Sequence, residues 1–305
     1  MASPSIALRT SQTRLARDWA AQIAKSLFAV LFPSDCRICG TPLVNISRLP
    51  LCQECLDAMR PISGGVCSLC GERLFSPYAF AADDGSESRC GLCRRVDPVF
   101  TRAAAYGSYE SGLRELIHLL KYGGVRPAAN VLGRMLREAI AALQDSFPAD
   151  SVAVIPVPLH RTKLRQRGFN QAELIARAAI KGIDPARLHL CSAVLERKRD
   201  TASQIGLTSH QRRENLRGAF HVVQADAVNG REVLVVDDVY TTGATVSECA
   251  RVLRRAGATK VWVATVARTL KVSAQHVEIR RACDEDEREE LSGTREVPLA
   301  RAAGG

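Results

Sequence analysis

No stretch of this sequence is long and apolar enough to cross a bilayer. The most lipid-like segment, Trp19 to Phe32, is interrupted by Gln22, Lys25 and Ser26 and falls short of the roughly 20 apolar residues a spanning helix needs. The first 32 residues lack a compact apolar core followed by a small-residue cleavage site, so export is not expected and the protein is expected to be cytoplasmic. Arg9, Arg14 and Arg17 bear only a faint likeness to a transit peptide. Aromatic residues are scarce at 5%, which argues against a protein that grips nucleic acid by base stacking alone. Neither a G-x-x-x-x-G-K-[ST] loop nor a G-x-G-x-x-G turn occurs, which excludes a P-loop and a standard dinucleotide site. Beyond a recurring cysteine knuckle there is no internal repeat.

What is present is a chain of 305 residues, 46% apolar and 24% charged. That is enough for a full core and, at roughly 100–200 residues per domain, for about two domains. The net charge of +10 favours polyanionic partners: small phosphates, nucleic acid or an anionic surface. The excess is uneven, with 13 Lys or Arg against 5 Asp or Glu between His160 and Arg217, and six acids with one base from Asp284 to Glu290. Near the start, Leu15, Trp19, Ile23 and Leu27 recur on one helical face. They predict an amphipathic helix in an N-terminal extension, residues 1–32, that docks on the chain's own body rather than on a membrane.

Eight of the 11 cysteines form four C-x-x-C pairs: Cys36/Cys39, Cys52/Cys55, Cys67/Cys70 and Cys90/Cys93. Two sulfurs three residues apart at a tight turn can grip one metal ion, so four pairs predict two structural four-thiolate zinc sites in a small domain over residues 33–97. Gly40 and Gly71 follow the second cysteine of their pairs, where a positive φ lets backbone N–H groups face the thiolates. A disulfide framework is the competing reading, but it suits small secreted chains. Spacing leaves open whether the pairs share metal sequentially or as an interleaved cross-brace. Cys191, Cys249 and Cys283 read as ordinary core or tail residues. The stretch Ser76 to Arg89 reads as an exposed loop.

Over residues 98–270 helical and apolar strand patterns alternate. Leu113, Leu116, Ile117 and Leu120 mark one helix, and a second follows Pro127 with Val131, Leu132, Met135, Leu136, Ala139, Ile140 and Leu143 inward. A strand at Val152 to Ile155, a helix from Gln171 to Ile180, a strand at Val233 to Val236, a helix from Val246 to Ala256 and a strand from Val261 to Val266 complete an α/β domain with a mainly parallel sheet. Residues 271–305 carry no periodicity and are expected to be a disordered tail.

The run Val233 to Thr245 carries the chemistry. Four β-formers are followed by Asp237 and Asp238 at the carboxyl end of the strand, where open α/β sheets place their ligands. Thr241, Thr242, Gly243, Ala244 and Thr245 then supply hydroxyls, a permissive glycine and backbone N–H groups leading into a helix N-terminus, a nest for phosphate. This segment resembles the phosphoribosyl pyrophosphate (PRPP) loop of type I phosphoribosyltransferases. The cysteine pairs, Leu120 to Gly124, Ile155 to His160, Arg167 to Gln171 and Gln204 to Leu216 further resemble the ComF family of competence and DNA-uptake proteins, in that family's order from Cys36 to about Arg268. The resemblance implies a double zinc ribbon followed by a type I phosphoribosyltransferase domain with a Rossmann-like sheet. The N-terminal extension, the acidic loop before Cys90 and the tail after Lys271 depart from it.

Carried over, Asp237 and Asp238 would hold the ribose hydroxyls of PRPP as the catalytic acids, and Thr241 to Thr245 would cradle its 5-phosphate. Val157 and Pro158, where Pro156-Val157-Pro158 ends a strand, fit the family's pyrophosphate loop, with Arg161, Lys163, Arg165 and Arg167 beside it to meet a diphosphate or to face water as a basic loop. Lys121 is a candidate phosphate contact or a helix-dipole partner. Arg197 to Arg217 reads as the hood that closes over PRPP in related enzymes. The implied cofactors are two structural zinc ions and Mg²⁺ arriving with PRPP, and the implied chemistry is transfer of phosphoribose to an unidentified acceptor. A PRPP-binding regulator without turnover, or a competence protein that only binds single-stranded DNA, are the alternatives.

Overall fold

A computed structural model describes residues 34–43, 48–74, 88–147, 151–199 and 209–270. The expected N-terminal helix, the acidic loop, residues 200–208 of the expected hood, Cys283 and the tail lie outside the described residues. By contacts the chain divides into Met1–Thr269 and Leu270–Gly305, and every described element belongs to the first unit.

The elements, in chain order, are α1 (Gln53–Asp57), β1 (Arg102–Ser108), α2 (Ser111–Lys121), α3 (Ala128–Gln144), β2 (Val152–Pro156), α4 (Arg161–Arg167) and α5 (Gln171–Ile180). They continue with β3 (Leu188–Leu190), β4 (Leu195–Arg197), α6 (Ser209–Leu216), β5 (Phe220–Val222), β6 (Glu232–Tyr240), α7 (Ala244–Arg255) and β7 (Lys260–Arg268). Five strands form one parallel sheet in the order β1-β7-β6-β2-β3, while β4 and β5 make a separate antiparallel pair.

The apolar strands sit at the centre because both sheet faces are covered. One face packs Val152, Val154, Leu234 and Val236 against the apolar sides of α2, α3 and α5. The other packs Ala153, Ile155, Val233 and Val235 against Val246, Cys249, Ala250 and Leu253 of α7. Helix α3 approaches α5 closely, since a Cβ on Gly133 would lie 2.5 Å from that of Ala178.

Strand β1 is at the sheet edge, and its sequence has no apolar run to announce it. The cysteine-rich segment covers the exposed side: Ile62 N donates to Tyr106 O at 2.7 Å, Ala103 N donates to Leu69 O at 2.7 Å, and the Tyr106 hydroxyl donates to Met59 O at 2.8 Å. An unpaired edge that would otherwise recruit another chain is thereby closed. Cys36 and Met59 join the core on the α2–α3 face, whereas Cys67, Cys70 and Cys93 join it on the α7 face, so the two cysteine clusters straddle this edge.

Two segments differ from the sequence expectation. The basic stretch 161–167 is a short helix, opened by the His160 side chain, which accepts from Thr162 N, and closed by Gly168 at φ 76°. It shows no apolar periodicity, its one aliphatic residue, Leu164, being 41% exposed. Strand β6 also runs beyond its apolar stretch, because pairing with β7 carries Asp237, Val239 and Tyr240 along to match Thr265, Ala267 and Arg268.

Among the described residues, no helix is long and apolar enough to cross a membrane.

Candidate functional site

At the carboxyl end of the sheet, a cleft of about 210 Å³ is lined by Lys121 from the end of α2, Val157, Pro158 and Leu159 after β2, and Gln171 at the start of α5. Asp237, Asp238 and Val239 from β6, Thr241 and Thr245 from the following loop, Tyr109 and Arg197 complete it. Strand alternation sends the two acids to opposite faces, yet both reach the cleft because β2, the neighbour of β6, stops pairing with it at Val236, just before them.

Asp238 is 3% exposed and forms an ion pair with Lys121, whose side chain is 17% exposed. Gln171 Nε2 donates to Asp238 Oδ1 at 3.0 Å, and Gln171 itself accepts a hydrogen bond from Arg167. Burial opposes charge on Asp238, but the Lys121 ammonium overrides it and holds the carboxyl below its ordinary range. Burial also opposes charge on Lys121, and Asp238 raises it nonetheless. Asp237 is pushed well above the usual carboxylate range by burial and by the adjacent Asp238 charge. The pair therefore combines one carboxyl whose charge is favoured by its neighbours and one whose charge is disfavoured.

The following loop opens a helix whose first turn carries unused donors. Gly243 adopts φ 76°, and α7 begins there with no side chain capping its first amides. The Thr242 hydroxyl is buried with no hydrogen-bond partner. A Cβ on Gly243 would overlap the Tyr240 hydroxyl, so the tight turn accepts only glycine. Across the cleft, Asn170 caps α5 by accepting from Ala172 N at 3.1 Å while its Nδ2 donates to Val157 O at 3.1 Å, tying the loop after β2 to that helix.

Of the expected site residues, the structure brings Asp237, Asp238, Thr241, Thr245, Val157, Pro158 and Lys121 to one cleft. Thr242, Gly243 and Ala244 form the adjoining turn. The basic residues of α4 are not among the cleft-lining residues: Arg161 pairs with Glu196 at 2.7 Å, and Arg167 bonds Gln171 and stacks 5.5 Å from the Tyr122 ring. Gln171, Tyr109 and Arg197 line the cleft without having been assigned a contact there, Arg197 having been read only as the start of the hood. For Gln171 its place in the Arg167 to Gln171 motif was a usable signal, whereas nothing local marks Tyr109.

The eight paired cysteines form two sequential clusters, Cys36/Cys39/Cys52/Cys55 and Cys67/Cys70/Cys90/Cys93, each with its sulfurs within 4.8 Å of one another. The described cysteines are all free thiols. Sulfur separations of 3.6 Å for Cys39–Cys52 and 3.7 Å for Cys70–Cys90 match the ~3.8 Å edge of a tetrahedron with Zn–S bonds of about 2.3 Å. Both sets thus have the donors and spacing of a structural zinc site. Gly40 and Gly71 take positive φ as expected, but their amides donate to Cys36 O and Cys67 O, and the sulfurs of Cys36 and Cys52 accept instead from Cys52 N and Cys55 N. The Cys70 thiol, helped by nearby amides, lowers Cys67 to about 4, while burial pushes Cys93 up to about 12.

Comparison with known proteins agrees with this geometry. Residues 27–95 match a double zinc ribbon domain, and residues 166–291 match a phosphoribosyl transferase domain. The chain is 31% identical to Competence protein F of Haemophilus influenzae over 71% of its length and 96% of that protein. It is 32% identical to DNA utilization protein YhgH of Escherichia coli O157:H7, covering 72% and 97%, and 23% identical to Competence protein ComFC of Bacillus subtilis, covering 68% and 79%. The parallel sheet is accordingly a phosphoribosyltransferase fold carrying an N-terminal zinc ribbon.

Two measurements probe these arrangements. Elemental analysis is expected to find close to two zinc ions per chain, one per cluster. Because Cys55, Cys70 and Cys93 hold their protons until metal displaces them, chelators should strip zinc more readily as the pH falls. Metal-free protein whose thiols titrate as disulfides would contradict the assignment. Separately, Lys121→Met breaks a buried pair and should cost about 3–5 kcal/mol at neutral pH. The depressed Asp238 contributes stability that is present above its unfolded pKa and lost as pH falls through its folded one, so the deficit should shrink in acid. Urea unfolding of both proteins across pH reads this, and a pH-independent deficit would assign the loss to packing.

Proposed function

The chain belongs to the ComF family of competence and DNA-utilization proteins, and from that membership and the cleft together we propose that it binds PRPP with Mg²⁺ at the end of β6. The observation that carries this reading is the Asp237–Asp238 pair placed directly before an uncapped helix N-terminus whose Thr242 hydroxyl has no partner. In this reading the two acids hold the ribose hydroxyls, the amides and hydroxyls of Thr241 to Thr245 hold the 5-phosphate, and the backbone at Val157 and Pro158 faces the diphosphate. Mg²⁺ would supply charge neutralisation on the diphosphate, held chiefly by the ligand's own oxygens with Asp237 and Asp238 near.

Turnover would transfer phosphoribose to an acceptor nitrogen through an oxocarbenium-like transition state at C1, with pyrophosphate leaving. The chain's task would be positioning and electrostatics rather than covalent help. Lys121 holds Asp238 charged and Gln171 fixes its orientation, so the ribose would meet a preset acceptor. Calorimetry with Mg-PRPP should give saturable binding, and Asp237→Asn combined with Asp238→Asn should weaken it at least tenfold, about 1.4 kcal/mol. With a candidate acceptor, any pyrophosphate release should vanish in the same variant. Equal binding by the double variant and the parent would remove the acids from the site.

A second reading concerns single-stranded DNA at the rim of the cleft. Tyr122 is 74% exposed, lies under the Arg167 guanidinium, and meets His118 edge-on at 5.4 Å between centroids, while Arg126 stacks 5.2 Å from Phe169. An exposed Tyr122 ring beside a half-buried Phe169 ring, each already paired with a guanidinium group, makes a platform for bases flanked by phosphate contacts. Single-strand affinity should fall steeply with salt, and Arg165→Ala or Arg167→Ala should flatten that slope. Absent or salt-independent binding would count against this role.

A further inference from the structure

Arg268 ends β7 and is 4% exposed, yet it lines no part of the cleft. Its Nη1 donates to Cys70 O at 2.6 Å, its Nη2 donates to Glu72 Oε2 at 2.6 Å, and Nη2 also lies 3.7 Å from Cys70 Sγ. The same guanidinium stacks 4.2 Å from the centre of the Tyr240 ring. Tyr240 is the residue before the phosphate loop. Phe100 braces its ring edge-on at 6.3 Å, and its hydroxyl fills the space beneath Gly243. An unbroken series of contacts thus runs from the second cysteine cluster to the turn that opens α7.

The chemistry of the series is unusual for a packing contact. A buried ion pair is seldom more stable than well-packed apolar residues of similar volume, so Arg268 and Glu72 are not explained by stability alone. What a planar guanidinium held at both Nη atoms adds is orientation: two hydrogen bonds fix its plane, and the plane fixes the ring stacked on it. Cys70 and Glu72 flank Gly71, itself pressed against the sheet, since a Cβ there would lie 3.0 Å from Ala103 O. The knuckle therefore has little freedom to shift without moving Arg268.

We propose that Arg268 is a positioning residue that transmits the geometry of the Cys67/Cys70/Cys90/Cys93 cluster through Tyr240 to the Thr241–Thr245 loop, so that metal in that cluster and a phosphate ligand on the loop stabilise each other. The ligand half of this statement rests on the PRPP reading above. The loop half does not. By thermodynamic reciprocity, whatever factor the metal contributes to ligand affinity, the ligand returns to metal retention. The first cluster packs on the opposite face of the sheet and serves as an internal reference.

The test uses the full zinc-loaded chain and compares it with Arg268→Gln, with Tyr240→Phe, which keeps the ring, and with Tyr240→Leu, which removes it without touching the cluster. Three quantities are read: amide hydrogen exchange over residues 240–246, affinity for Mg-PRPP, and the rate of zinc release to a chelator with and without Mg-PRPP. In the parent, Mg-PRPP should slow release of one of the two ions. Arg268→Gln should keep its zinc, speed exchange in the loop, weaken Mg-PRPP about tenfold and abolish that protection, and Tyr240→Leu should do the same while Tyr240→Phe stays near the parent. If Arg268→Gln does not fold, the two Tyr240 variants decide the matter. Should the parent bind Mg-PRPP while the folded variants leave exchange, affinity and zinc protection unchanged, the positioning role is wrong and the PRPP reading stands. Should the parent not bind Mg-PRPP while loop exchange still follows Arg268 and Tyr240, the ligand reading falls and the positioning role stands.

Discussion

The site depends on the cost of placing two adjacent carboxylates at the end of a strand that is buried on both faces. Water reaches Asp237 only in part and Asp238 hardly at all, so their charges depend on what neighbours offer. Lys121 and Gln171 answer Asp238, and both come from other elements: one from the last turn of α2, the other from the first turn of α5. Among the described residues Asp237 makes no ion pair, and burial with the Asp238 charge pushes its carboxyl upward against the more distant pull of Lys121. The order of α2, β6 and α5 around the cleft follows from this requirement as much as from apolar packing. An ammonium at a helix C-terminus and an amide at a helix N-terminus converge on one carboxylate.

A second constraint acts at the opposite margin. Among the described residues the edge strand β1 pairs with no strand on its outer side, so it needs covering, and the cysteine-rich segment supplies backbone bonds at Ala103 and Tyr106. The zinc ribbon is therefore part of the sheet's architecture rather than an appendage. Its two clusters enter the two core layers separately. In the second layer, the contact through Arg268 brings the cysteine knuckle within one aromatic ring of the Thr241–Thr245 loop.

Much of this was legible in the sequence, for identifiable reasons. Helix α5 occupies Gln171–Ile180 as read, because its apolar positions repeat at helical spacing and Asn170 is a ready cap. Strands β2, β6 and β7 stood out because parallel strands covered on both sides read as short apolar runs. Sequential use of the cysteine pairs was one of two possibilities that spacing left open, and only the fold distinguishes them. Strand β1 could not be read, since Arg102 to Ser108 owes its conformation to β7 and to the cysteine segment, both distant in the chain. Strands β3, β4 and β5, three residues each, are likewise too short to carry a pattern. At the site, the acids and the threonine loop are contiguous and visible, whereas the Lys121–Asp238 pairing is a product of topology.

The distribution of charge makes the same point in reverse. The sequence concentrates positive charge beside the loop after β2, yet in the folded chain Arg161 is held by Glu196, and Arg167 is engaged by Gln171 and Tyr122. Of the cations that do line the cleft, Lys121 is committed to Asp238, and Arg197 lies 5.3 Å from the Phe220 ring. An anion entering here would thus meet backbone amides and the Thr242 hydroxyl before it met a free guanidinium. Recognition built on fixed amides depends on the exact shape of the turn, which a mobile lysine or arginine would not require. If the loop does take a phosphate as proposed, that dependence would be a physical reason for Thr241–Thr245 to be held from beneath, by Tyr240 and the buried Arg268, rather than left to close around its ligand unaided.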